Sequence, residues 1–556
     1  MFAASASAPS KSYLLPIEVT AISKDRNHSD YGSEAILTNQ MKIPDEKTDR
    51  TVERRRFLRD SSLAAASLAG LAAVPAGAAL AQDGQMPMAN TAPYDPARDI
   101  PHPTLSRQFA RWVAALRYDD LPPEVTDRAR GVTLHALSSL LLGSQMAEGK
   151  EAVQLVTEEE AGVRTDATIL VHGAQATRSG AAFANSEMTL AGGKWDTFRM
   201  LTHPGTSIIP SALVAAEETG AAGKDFITGI VAGYEVMERM AGDFIPTVMA
   251  RGFHASPVFG IFGAAVATAK ILRFSEDQIA NTIGLCVNLA GGNLESGGLR
   301  EGIAARNAML AVALAKLGHP GGETALEGDA GFYHAYAGNN RGELTYSFTG
   351  DLRTNLSKIA AQLGHEWMFL QTLYRIYSIS GYNLAHIDVT AKLCEEHNIR
   401  YEDVDRVEAV VNWLETQYPS PAFATRREDS TTPAKVGNTR YYTAYGVVQR
   451  GFPMLPGAPD PPEVLELMQR VKIIPSQDMA LFAPRITIFA KDGKSYTKQA
   501  TGREFVWDFD EEARRIRAIV PGLPIPAAQY EEIIAACREL EKQERADKLV
   551  RLTLKS

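Results

Sequence analysis

The stretch from Arg251 to Phe274, RGFHASPVFGIFGAAVATAKILRF, constrains the fold more than any other part of this 556-residue chain. A histidine on a tight turn runs directly into a helix. Ser256 predicts the N-cap and Pro257 the first helical position, where a missing N–H costs nothing. Gly260, Gly263, Ala264, Ala265, Ala267 and Ala269 are interspersed with Val258, Phe259, Phe262, Val266 and Ile271. So many small residues let neighbouring helices approach closely, which predicts a buried packing helix with His254 just before its N-terminus. Unbonded backbone N–H groups and the positive end of the helix dipole gather there and favour an anion.

The arrangement repeats. His203, in LTHPGTSIIPSALVAAEETG, precedes a helix expected to be capped by Ser207, with Pro210 in its first turn and Gly220 at its end. In SGGLREGIAARNAMLAVALAKLG, Arg300 stands at the mouth of an Ala/Leu helix that closes at Gly318. If these three mouths converge, they form a site for a small polycarboxylate, with histidines placed for proton transfer. The plainer reading is that each histidine caps a helix or satisfies a core polar group, and that Arg300 and Glu301 form a surface pair.

The length predicts two domains and a tail. A hydrophobic content of 45% and a charged content of 22% suit a globular enzyme, and the net charge of −9 without a basic stripe gives no reason to expect nucleic-acid binding. Cys286, Cys394 and Cys537 are far apart, forming neither a metal knuckle nor a disulfide framework, and are expected to be buried thiols.

In chain order, residues 1–53 show no helical or strand period and read as a disordered extension. Arg54-Arg55, then Phe57-Leu58, an Ala/Leu stretch and Ala79-Leu80-Ala81 match a twin-arginine leader with a small-x-small cleavage site, covering 54–81. This predicts a periplasmic bacterial protein, without stable membrane insertion once the leader is removed. Residues 82–103 read as a linker, 104–373 as a helical domain and 374–505 as an α/β lid domain. Residues 506–556 read as a segment returning to the helical domain. Within the lid, VDRVEAVVNWLE predicts a strand, and RITIFAKDGKSYTKQAT a hairpin turning at Asp492-Gly493. The fold class is mainly α. A single terminal helix is expected over 527–548.

The order of these segments, with THPG, RGFH…G.FGAA, the Gly-rich turn before G.AA and ALEGDAGF at 325–332, resembles the MmgE/PrpD family of 2-methylcitrate dehydratases and cis-aconitate decarboxylases. The resemblance implies a helical domain with an α/β lid, a homodimer, and chemistry beside a carboxylate with no metal or organic cofactor. NSEMTLAGGKWDTFRMLTHP matches the family pattern at Asn185, Asp196, Thr197 and His203, with Leu190 where a histidine is usual. His254 matches the Gly-Phe-His histidine. The family lysine falls on Gly297 and its neighbouring histidine on Arg300. In YSISGYNLAHID the aspartate matches Asp388, Leu384 takes the histidine place, and His386 lies two residues on. NTRYYTAYGVVQRG puts Tyr442 on the family tyrosine.

On this basis His254 is the expected general acid/base and His203 a carboxylate binder or partner acid. Asp196 and Thr197 are expected to orient that histidine or a substrate hydroxyl. Arg300 replaces the missing lysine cation, and Tyr442 donates a proton from the lid. The expected activity is that of an exported lyase of the dehydratase or decarboxylase type on a small di- or tricarboxylate. The alternative is a catalytically inactive or epimerase-like member that binds a carboxylate or a protein partner.

Overall fold

A computed structural model describes residues 102–160, 163, 167–377, 379–416, 439–452 and 460–555. The leader and its cleavage site at 54–81 lie outside them. The chain begins with α1 (Leu105–Ala115), whose cap Thr104 accepts from the Arg107 amide, followed by α2 (Pro123–Gly143), α3 (Ala147–Glu159) and α4 (Arg178–Ala191). A short strand, β1 (Trp195–Thr197), leads into α5 (Pro204–Thr219), α6 (Gly223–Ala241), α7 (Ile245–Ala250) and α8 (Ala255–Ile271). Next come α9 (Glu276–Leu289), α10 (Arg300–Lys316) and α11 (Phe332–Ala337).

The sheet-bearing part holds β2 (Leu373–Arg375), α12 (Gly381–Glu396), β3 (Val404–Asn412), α13 (Thr439–Gln449), α14 (Pro462–Leu467), β4 (Val471–Ser476), β5 (Arg485–Ala490) and β6 (Ser495–Gln499). Then α15 (Phe509–Ile516), α16 (Ala527–Arg538) and α17 (Lys548–Thr553) follow. The protein is mainly helical, as its periodicity predicts, and the described part belongs to one compact unit, Pro93–Ser556.

Helix α8 is the centre of the helical part. Every residue of it except Lys270 is buried, and it packs on α5, α6, α9 and α10. The contact with α6 depends on paired glycines. A methyl group at Gly233 would stand 2.5 Å from the Gly263 carbonyl oxygen, and one at Gly263 would stand 2.6 Å from Ile208. Two helix backbones meet here with no side chain between them.

The helix starts differ from the sequence reading. The cap of α8 is His254 itself, not Ser256, which lies one residue inside the helix. Likewise α5 is capped by His203 and starts at Pro204, so Pro210 lies within the helix. Pro204 has its φ preset for the first helical position, so the helix starts a turn earlier than Ser207 would allow. The terminal helix expected over 527–548 is broken between Arg538 and Lys548. The intervening segment hydrogen-bonds elsewhere: the Gly223 amide donates to the Gln543 carbonyl (2.9 Å) and the Ala546 amide to the Ala221 carbonyl (2.8 Å). Helices α15 and α16 pack on α2.

Strands β1 and β2 pair antiparallel, with Asp196 opposite Tyr374. The larger sheet has the order β4-β3-β5-β6, with β3–β4 parallel and the other pairs antiparallel. The β5–β6 hairpin turns at Asp492-Gly493 as expected, with Gly493 at φ 87°, a backbone conformation that favours glycine. Cys286, Cys394 and Cys537 are buried free thiols. Among the described residues no helix is long and apolar enough to cross a membrane.

Gly233→Ala should force α6 and α8 apart and destabilise the protein by about 1–3 kcal/mol, the usual cost of overpacking a core. Thermal unfolding of the variant checks this, and a melting temperature equal to that of the parent protein would contradict the close contact.

Candidate functional site

Three helix mouths meet around the first turn of α8. The His203 backbone amide donates to the Ser256 hydroxyl at 3.0 Å, which joins the start of α5 to the start of α8. Ser256 is therefore occupied by the neighbouring helix rather than by capping its own. Arg300, the first residue of α10, is near enough to bias both histidines electrostatically.

His203 is buried, and its Nδ1 lies 3.1 Å from the Asp196 carbonyl oxygen and 3.3 Å from the Thr197 hydroxyl. A carbonyl can only accept, so Nδ1 carries the proton and donates, leaving Nε2 as the basic nitrogen of the neutral ring. The Trp195 ring covers the imidazole at 4.5 Å between centroids. Burial, then the nearby Arg375 guanidinium, holds the His203 pKa well below its usual range. His203 is thus a neutral base or acceptor at neutral pH.

His254 is 5% exposed. The turn that presents it requires Gly252 at φ 87°, and its amide donates to the Gly292 carbonyl at 3.2 Å. Its Nδ1 is buried with no hydrogen-bond partner among the described residues. Burial, followed by the charge of Arg300, pushes its pKa down to about 3. An uncharged imidazole with an unused buried nitrogen is suited to proton transfer or to binding a ligand.

Arg300 is half-buried, and its Nε also lacks a partner. Leu299, which caps α10 and immediately precedes Arg300, adopts φ 62°, an uncommon conformation for leucine. Sequence reading missed two acids beside it. Glu301, offered by the sequence only as half of a surface pair, is 1% exposed, and neither of its oxygens has a hydrogen-bond partner among the described residues. Burial pushes its carboxyl up to about 8. Glu187 on α4 is equally buried and accepts from the Gly302 amide at 2.6 Å, and burial raises it to about 7. The signal was present in the helical phase: Glu301 shares a stripe with Ala304, Ala305, Ala308 and Met309, all buried.

Of the two roles expected for Asp196, its contacts suit the orienting of His203. Its carboxylate accepts from the Gly205 amide at 2.9 and 3.1 Å and from the Tyr234 hydroxyl at 2.5 Å. These bonds clamp the first turn of α5, so Asp196 positions His203 rather than reaching toward a ligand. Thr197 supports the same ring through its hydroxyl.

Tyr442 is buried on α13, edge-on to Tyr441, and α13 packs on α12 beside the sheet. His386 is buried with Nδ1 2.8 Å from the Thr443 hydroxyl, tying α12 to α13. Asp388 forms a helical pair with Lys392 at 2.7 Å. His135 lies 2.7 Å from Glu512, joining α2 to α15. Among the described residues no group of three or more His, Cys, Asp or Glu side chains is placed to hold a metal ion. A cavity of about 400 Å³ opens beside the Phe253 turn, lined by Val287, Asn288, Ala290 and Tyr336 among others. Its lining does not include the two histidines or Arg300.

Residues 107–345 match the MmgE/PrpD N-terminal domain, the segment that carries all three helix mouths. That segment is of the MmgE/PrpD family type. The chain is similar to the cis-aconitate decarboxylase-like protein oryM of Aspergillus oryzae, at 23% identity over 58% of this chain and 68% of that protein. It is also similar to the cis-aconitate decarboxylases of Aspergillus terreus and Homo sapiens. The first is 24% identical over 52% of this chain and 59% of its own length; the second is 25% identical over 42% and 50%. The chain thus spans about half to two thirds of the length of these relatives, and their kinship places it in a family of the dehydratase and decarboxylase type.

The depressed His254 pKa has a stability consequence. The unfolded chain binds a proton near pH 6.5 and the folded chain only near pH 3. The folded state therefore loses stability as pH falls through that window, by on the order of a few kcal/mol. Chemical denaturation from pH 7 to pH 4 should show His254→Gln gaining on the parent protein as the medium is acidified. A gap independent of pH would show that the imidazole is solvated.

Proposed function

We propose that the protein is a lyase acting on a small di- or tricarboxylate by general acid/base chemistry. The observation that carries this reading is the set of buried polar atoms without partners at converging helix starts, His254 Nδ1 and Arg300 Nε beside a neutral His203. Arg300 binds one substrate carboxylate, and the amides of the helix starts contribute positive potential. His254, uncharged at neutral pH, removes or returns the proton beside a carboxylate. The negative charge that develops is stabilised by Arg300 and by the oriented helix dipoles. His203, held by Asp196 and Thr197, binds a second carboxylate or passes a proton through Nε2. The names of the relatives make cis-aconitate the first compound to test. The sheet-bearing region 374–505 acts in this proposal as a lid that brings Tyr442 to the substrate.

A second reading, binding without turnover, has one specific support. Gly297, where the family lysine falls, has φ 78° and open space around it, so the position supplies no cation of its own.

The test is turnover followed by NMR with cis-aconitate, citrate and 2-methylcitrate. His254→Ala should lower the rate by about 10²–10⁴-fold, the usual worth of a general acid/base. Arg300→Ala should mainly raise KM, because its proposed role is to hold a carboxylate. Saturable binding without turnover would favour the second reading, and no binding at all would refute both.

We also propose that the protein is exported through the twin-arginine signal and acts in the periplasm as a homodimer. Mass spectrometry of the exported form should find an N-terminus near Gln82, and light scattering should give twice the protomer mass. A retained leader, unaffected by Arg54→Lys with Arg55→Lys, or a monomer at micromolar concentration would contradict the corresponding part.

A further inference from the structure

Glu301 is the most conspicuous buried group that the proposed chemistry does not use. It lies in the first turn of α10, beside Arg300, with both oxygens buried and lacking partners among the described residues. The Ser256 hydroxyl accepts from the His203 amide and is near enough to Glu301 for its O–H to favour the charged form of that carboxyl. Buried polar groups are ordinarily satisfied, and two carboxyl oxygens without a partner among the described residues, on the residue next to an Arg300 whose Nε is likewise unpaired, describe a place that a ligand completes.

Resting on the carboxylate-binding reading above, we propose that Glu301 is a further ligand-binding residue, which as a neutral carboxylic acid donates a hydrogen bond to a carboxylate of the ligand next to Arg300. The site would then bind an anion together with one proton: where Glu301 is ionised in the free protein, binding takes that proton from solvent. No covalent bond changes. The arrangement also explains how two buried acids coexist with an anion site. Ionised, Glu301 would neutralise Arg300 and repel the incoming carboxylate. Neutral, it is a donor and leaves the guanidinium charge to the ligand.

The groups that act on Glu301 are Arg300 on its own helix, Glu187 on α4, Asp196 on β1 and Ser256 in the first turn of α8. Cys286, on α9, is turned to the Ile261 carbonyl. Of the acids, Asp196 is bonded to Tyr234 and Gly205, and Glu187 to Gly302, which leaves Glu301 as the acid whose oxygens have no partner.

Isothermal titration of the full chain with cis-aconitate and with citrate, in buffers of different ionisation enthalpy, tests the proposal. With the Glu301 carboxyl titrating at about 8, affinity should fall about tenfold from pH 7 to pH 9. Proton uptake should rise from near zero at pH 6 towards one per site at pH 9. Glu301→Gln keeps a donor but cannot titrate, so its affinity and proton count should be flat with pH, whereas Glu187→Gln should keep the parent slope. A parent protein that binds with no proton uptake at pH 9 overturns the proposal even if Glu301→Gln fails to fold. So does a slope that survives in Glu301→Gln or vanishes in Glu187→Gln. These results leave the carboxylate reading standing, whereas binding of neither probe by the parent protein overturns that reading and this inference together.

Discussion

The burial of α8 at every residue but Lys270 is the constraint on which the rest depends. Helix α8 can be surrounded only because its small residues, Gly263 above all, let α6 come into backbone contact. A helix enclosed along its length must also start in the interior. Its amides and His254 are therefore held where the dielectric is low, and the imidazole pKa falls to about 3. The packing of the core thus sets the protonation state of the site. The same enclosure makes the unused Nδ1 of His254 costly unless something binds there.

The site is built by helix ends interlocking, not by side chains carried on loops. Ser256 receives the backbone of His203, Asp196 receives the backbone of Gly205, and Glu187 receives the backbone of Gly302. Each polar side chain on one element thus holds the first turn of another. This leaves the residues at the very ends, His203, His254 and Arg300, with their orientations fixed and part of their hydrogen-bonding capacity unused. Preorganisation of this kind is what electrostatic catalysis requires.

Most of the helical part was legible in the sequence, because glycine and proline punctuation and the 3.6-residue period are local signals. The helix starts were less so. Ser256 and Ser207 are good caps by type, but a His-Pro step began α5 one turn earlier, and the Ser256 hydroxyl was taken by another helix. Strand β4 and the partner of β1 were missed because pairing is non-local, and Pro475 masks the strand period. In the site, the histidines and Arg300 were found from their places at helix mouths. Glu301 and Glu187 were missed because a charged residue on a helix is ordinarily solvated. Only the phase of Glu301 with Ala304, Ala305 and Ala308 marked it as inward-facing. The Tyr234 partner of Asp196 was not legible because it is distant in sequence.

The central claim is that the unpaired atoms at the three helix starts form one anion site. A crystal structure of the protein with citrate tests it most directly. The account predicts a citrate carboxylate within hydrogen-bond distance of Arg300 Nε, with another of its oxygens at His254 Nδ1. Citrate bound elsewhere, as in the cavity beside Phe253 and Tyr336, with His254 and Arg300 still unpaired, would contradict it.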